Sequence, residues 1–194
     1  MPRRGRKELI LEVACRLFST KGYHATTIRD ISEASGILSG SLYAHIKSKE
    51  DLLFEITNFG AEAFLSSLRP IVNGTGTAEE KLRQGLIAHI RVVADNLEAA
   101  TVFFHEWKAL SEERRAIIQK KRDEYESLWE QILEEGINRG EFNPPDPKFA
   151  RLLTLSAANW LYQWYRPEGP MGPEEVADRL ATNLLVGLSN KKEV

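Results

Sequence analysis

One cysteine, Cys15, serves the whole chain, so no intrachain disulfide can form and a reducing compartment is expected. It lies beside an apolar helical stripe, where a small buried hydrophobe is the expected role rather than a reactive thiol. No secretory h-region opens the sequence, and no apolar run is long enough to cross a bilayer. A soluble, cytoplasmic protein with no membrane partner is therefore expected. Of four histidines, the three outside the segment 38–45 are widely spaced, and His105-Glu106 has no second histidine at i+4, so no metal site is expected. Phosphate-binding glycine loops, a nucleophile elbow and an acid–base pair are also missing. That argues against an enzyme, and no cofactor is expected.

The 194 residues are 42% hydrophobic, enough for a core without disulfide or metal staples. Charge is unevenly spread. Residues 1–50 carry nine basic side chains, among them Arg3, Arg4, Arg6 and Lys7, against five acidic ones, a net +4; the remainder holds 17 basic and 23 acidic. A basic head on an acidic body suits a nucleic-acid module joined to something else.

Helical periodicity runs throughout. Ile10, Val13, Ala14, Leu17 and Phe18 share one face of a first helix that Gly22 should stop. Thr27 with Asp30, Ser48 with Asp51 and Thr77 with Glu80 read as N-terminal capping pairs. Pro70 should break or kink the last turn of the helix begun at Ser48. A long charged helix runs from Ser111 to about Arg139 before Gly140. After the Asn143–Pro147 loop, Asp146 and Pro147 open an apolar helix reaching Trp164. Val176, Leu180, Leu184 and Leu188 form a narrow stripe on the last helix. The expectation is an all-α chain of about nine helices: a three-helix helix-turn-helix domain over residues 1–48, and a helical ligand-binding and dimerisation domain over 49–194.

Residues 26–51, TTIRDISEASGILSGSLYAHIKSKED, carry the functional signal. Two short helices meet at Gly36, where positive φ costs little. Ile28, Ile31, Ala34, Ile37, Leu42 and Ile46 supply a shared core. The second helix, expected from about Leu38 to His45, presents Ser39, Gly40, Ser41, Tyr43, Ala44 and His45, which are small or hydrogen-bonding. Small residues allow close approach to base edges, while hydroxyls and imidazole hold phosphate oxygens. Thr26, Thr27 and Lys49 sit at helix starts, which favour phosphate.

Over residues 6–54 the chain resembles the TetR (tetracycline repressor) family of bacterial regulators. The resemblance rests on the Ala14–Leu17–Phe18 helix followed by KGYHATTIRDIS, the glycine turn, and SGSLYAHIKSKEDLL. It implies that Thr27, Tyr43, His45 and Lys49 contact backbone phosphates of double-stranded operator DNA, and that Ser39, Gly40, Ser41 and Ala44 face bases. Two positions depart from the pattern: Leu38 stands where a small polar residue is common, and Ile46 where a bulky aromatic is common. Farther on, ANWLYQWYRPEGPMGPEEVADRL is similar to the segment of family members that respond to acyl-CoA thioesters.

An apolar cavity with a few polar handles is expected in the C-terminal part, lined from Phe103, Trp107, Arg122, Tyr125, Trp129, Asn159, Trp160 and Trp164, although any single aromatic at helical spacing is more often core. Arg122 and the lysines beside it are candidates for effector phosphates; otherwise these charges form a solvated face. The last two long helices should form a homodimer interface. The function expected is that of a ligand-responsive DNA-binding regulator. As a repressor it would be released by a bulky apolar effector such as an acyl-CoA thioester, or alternatively by a lipophilic drug or a free fatty or aromatic acid. A purely protein-binding helical adaptor would not explain the basic head or the small polar second helix.

Overall fold

The computed structural model describes residues 5–144 and 146–188. Arg3 and Arg4 of the basic head, and Pro145 of the expected loop, lie outside the described residues. Every element among the described residues is helical, ten α-helices and one 3-10 turn, so the chain is all-α. None of these helices is long and apolar enough to cross a membrane. Two groups of residues each cluster on their own: 5–62 with 96–120, and 63–95 with the described residues from 121 on.

The first unit begins with α1 (Arg6–Lys21), which Gly22 ends at φ 87°. α2 (Ile28–Ser35) starts at Thr27, whose hydroxyl accepts from the Asp30 amide while the Asp30 carboxylate accepts from the Thr27 amide. Two orphan donors are thus satisfied by one pair of side chains. α3 (Ser39–Leu42) follows, then the first half of α4 (Lys49–Val72). α6 (Leu97–His105), the 3-10 turn Trp107–Ala109 and the start of α7 (Glu112–Asn138) complete the unit. α1 packs on α2 and α6. Ile10, Ala14, Phe18, Ile31, Leu42, Leu52 and Val102 are buried. Cys15 is buried too, and burial, with Glu98 nearby, pushes its thiol up to about 12, so it is a packing residue.

The second unit holds the remainder of α4 and α7, with α5 (Ala78–Asp95), α8 (Pro147–Asn159), α9 (Leu161–Trp164) and α10 (Pro173–Leu188). Pro70 does not break α4, which continues to Val72. It sits in the last turn, and the following amides of Asn73 and Gly74 still bond to the Arg69 and Ile71 carbonyls. Trp129 of α7 is fully buried against Gly85 of α5; a Cβ there would lie 3.0 Å from the indole and 3.1 Å from Leu68. Lys81 is buried, and its ammonium bonds to Glu135 at 2.8 Å and to the Val72 carbonyl at 3.1 Å. The apolar helix expected to reach Trp164 divides at Trp160 into α8 and α9, which accounts for the helix beyond the expected nine.

Candidate nucleic-acid interface and effector residues

The turn between α2 and α3 is built on Gly36, left-handed at φ 67°, and on the Ser32 hydroxyl, which donates to the Ile37 carbonyl at 2.6 Å. Ile31, Leu42 and Ile46 are buried and pin the two short helices together. Ile46 therefore fills the core position where an aromatic is common. Ala34, expected in that core, is exposed instead. α3 is a single turn, shorter than the expected Leu38–His45; the chain beyond it stays coiled, with the His45 and Ile46 amides bonding to the Leu42 carbonyl.

Ser39, Gly40, Ser41, Tyr43 and Ala44 are all exposed on this segment, and His45 is half-buried. Tyr43 is 57% exposed, and Leu38, just before α3, is 80% exposed. A Cβ added at Gly40 would meet no atom within 4 Å, so the fold does not require glycine there. Leu38 is the residue that sequence reasoning undervalued. Its side chain stands in water at the start of α3, and the signal was its departure from the family pattern.

Thr26 corrects the expectation. It is fully buried, its hydroxyl donates to the Gly22 carbonyl at 2.8 Å and its amide bonds to the Tyr23 carbonyl, so it has nothing left to offer a phosphate. Thr27 remains exposed but shares its hydroxyl with Asp30, whose carboxyl these contacts and Lys21 hold down at about 2. Lys49 is half-buried rather than outstretched. Its ammonium donates to the carbonyls of Tyr23 and Thr26 at 2.8 and 2.7 Å and lies 4.1 Å from the centre of the Tyr23 ring. Desolvation lowers its pKa.

The expected effector residues do not form one group. Phe103 and Trp107 are buried in the first unit, and the other six belong to the second. There, Tyr125 packs edge-on to Trp129 and its hydroxyl lies 2.8 Å from His89 Nδ1, with Phe64 tilted over the imidazole. His89 Nε2 and Trp129 Nε1 are buried without a hydrogen-bond partner. The first leans toward the Ala158 carbonyl and the second toward the Tyr125 oxygen, both outside hydrogen-bond geometry. Burial holds the His89 imidazolium down at about 3 and pushes the Tyr125 phenol up, so both are neutral at pH 7. Arg122 and Asn159 are half-buried, and desolvation lowers the Arg122 pKa.

Trp160 and Trp164 overturn the expected interior wall. They are 60% and 46% exposed, because the break at Trp160 turns Leu161 and Tyr165 inward instead. The stripe on α10 is corrected as well. Val176, Leu184 and Leu188 are buried within the protomer, where α10 packs on α5, and Leu180 is half-buried. In the second unit the exposed large apolar side chains are Phe149, Leu152 and Leu153 of α8, the two tryptophans, and Val186 of α10.

Residues 10–56 match bacterial regulatory proteins of the tetR family, and residues 75–188 match the tetracyclin repressor-like C-terminal domain. The HTH-type transcriptional repressor KstR2 of Rhodococcus jostii (strain RHA1) is 31% identical over 188 residues, 96% of this chain and 92% of that protein. The ketosteroid transcriptional regulator KstR2 of Mycobacterium tuberculosis has a similar structure, with a TM-score of 0.91 at 28% identity over 97% of each chain. AibR, solved in complex with isovaleryl coenzyme A and operator DNA, gives a TM-score of 0.83 at 30% identity, covering 93% of this chain and 98% of that one. The helix-turn-helix described above, with its small exposed reading face, is thus that of a known class of proteins: the chain belongs to the tetR family of bacterial regulatory proteins and is a DNA-binding transcriptional regulator, not an enzyme.

Proposed function

We propose that the protein is a homodimeric repressor that reads operator DNA through residues 1–48 and is released from it when residues 49–194 bind a bulky apolar effector, an acyl-CoA thioester above all. The observation that carries the DNA reading is the exposed Ser39–Ala44 face, where Gly40 occupies space the fold leaves open. Ser39, Gly40, Ser41 and Ala44 meet base edges, with Leu38 beside them against thymine methyl groups. Tyr43 and His45 meet phosphates, and Lys49 does so with the N–H its two carbonyl bonds leave over, while Thr27, whose amide and hydroxyl both serve Asp30, caps α2 instead. The dimer forms through the uncovered side chains of α8 with Val186, two copies side by side matching two half-sites.

The effector reading is supported by the orphaned His89 Nε2 and Trp129 Nε1 in the second unit. Each buried polar group without a partner costs free energy, which a ligand oxygen would recover. Tyr125 and Asn159 supply further polar handles, and Arg122 supplies a cation for phosphate. That AibR was solved with isovaleryl coenzyme A favours a CoA thioester.

The test uses duplexes selected by the full-length protein from a random pool. Tyr43→Ala should weaken binding to selected and scrambled duplexes alike, while Ser41→Ala should change preference at single positions by about 1–3 kcal/mol. Isovaleryl-CoA, longer CoA thioesters, free fatty acids and aromatic acids are then added to the complex. Release by a free acid or a lipophilic drug alone would replace the thioester as effector. No duplex preference in the wild type would end the DNA-reading assignment.

A further inference from the structure

Three consecutive residues in the first turn of α4 each grip a different part of the first unit. Lys49 holds the turn between α1 and α2 through the two carbonyls described above. Glu50 accepts the Ser111 backbone N–H at 2.9 Å, and Arg114 Nη1 stands 3.8 Å from the same carboxylate. Asp51 divides its two oxygens. Oδ2 accepts the amides of Lys47 and Ser48, both at 2.9 Å, and Oδ1 accepts from Arg114 Nη2. The guanidinium also lies over the Phe54 ring, 5.2 Å from its centre.

Lys47 and Ser48 directly follow Ile46, the buried anchor of the reading segment. The carboxylate that fixes this exit is therefore held from its far side by a cation at the start of α7, 63 residues away in sequence. The ties are mutual: Arg114 holds the Asp51 carboxyl below its ordinary range, Ser111 does so for Glu50, and Asp51 raises the guanidinium. The Lys47 and Ser48 amides use one oxygen only, so the cap alone does not explain why an arginine from another helix is seated on the other.

We propose that Arg114 is a positioning residue for DNA reading: through Asp51 it fixes the angle at which the Ser39–His45 segment leaves α4, and so sets the register of the base contacts. This rests on the DNA-reading assignment above. Base-edge contacts carry the sequence information, whereas phosphate contacts supply affinity to any duplex. Loss of the clamp should therefore cost discrimination more than overall affinity. A residue that merely stabilised the fold would lower binding to all duplexes together, by reducing the folded fraction.

The experiment compares Arg114→Met, Asp51→Asn and the double variant in the full-length protein. The Asp51→Asn change would keep an amide oxygen for the Lys47 and Ser48 N–H groups but would lose the charge that holds Arg114. Binding is measured to a duplex selected by the wild type and to a scrambled duplex, and amide hydrogen exchange is followed along the chain. The ratio of the two affinities should fall about tenfold in each single variant, and no further in the double, because both remove one contact. Exchange should quicken over residues 43–48 and stay unchanged over 10–18. An unchanged ratio in both single variants, or losses that multiply in the double, overturns the proposal. A wild type without duplex preference would end both the DNA reading and this inference, a result distinct from variants that discriminate as well as the wild type does.

Discussion

Replacing His89 by asparagine should remove a specific part of the acid sensitivity of the protein. The imidazole is buried between Phe64 and Tyr125, and burial holds it at about 3, against an ordinary value of 6.5. A base depressed in the folded state is neutral there while the unfolded chain takes up the proton, so stability is full above pH 6.5 and falls as pH drops toward 3. Between pH 7.5 and 5.0 the unfolded state gains about 2 kcal/mol from this one group. The figure barely depends on the folded value, because at pH 5 the folded imidazole is unprotonated anywhere near 3. For a chain of this length it corresponds to a fall of about 4–8 °C in melting temperature. Carboxylates titrate over part of the same range, so the quantity to read is the difference in pH slope between wild type and His89→Asn. Asparagine can still bond to the Tyr125 hydroxyl but does not ionise. Equal slopes in the two proteins would show that the imidazole is already charged, or already wet, in the native state.

Two further outcomes follow from packing. Leu153→Glu places a charge on a side chain that is half exposed in the protomer. It should leave the fold intact and yield monomer in sedimentation, whereas Leu184→Glu, on a buried position, should unfold the chain; a dimeric Leu153→Glu protein would exclude the α8 interface. Gly85→Ala gains about 1 kcal/mol of helix propensity but drives a methyl to 3.0 Å from Trp129 and 3.1 Å from Leu68. Overpacking should win by about 1–3 kcal/mol and lower the melting temperature, and a rise would mean that the indole yields easily.

Local chemistry was readable in the sequence wherever partners lie within one turn. The Thr27–Asp30, Ser48–Asp51 and Thr77–Glu80 pairs all form, and Gly22, Gly36 and Gly140 all take positive φ. The all-α fold and the helix-turn-helix followed from them. What escaped depends on which neighbour covers a face. The stripe Val176–Leu184–Leu188 is apolar whether it is covered by helices of its own protomer or by a second copy, and periodicity cannot separate the two. Trp160 and Trp164 share a face at i, i+4 only if the helix is unbroken, and it breaks between α8 and α9. Thr26 looked like a phosphate ligand because a hydroxyl at a helix start is one by default; its burial is set by Leu17 and Gly22, residues earlier in the chain. The grip of Arg114 on Asp51 joins charges too far apart in sequence to leave any spacing signal.

The open space around Gly40 bears on how such a regulator changes its target. Side chains on the outer surface of α3 contribute almost nothing to the packing that holds α2 and α3 together, which rests on Ile31, Leu42 and Ile46. Folding and reading therefore draw on separate alphabets within one short segment. On the reading proposed above, substitutions at Ser39, Gly40, Ser41 and Ala44 carry little penalty in stability, so a duplicated copy of the chain can change its target sequence without disturbing the core beneath.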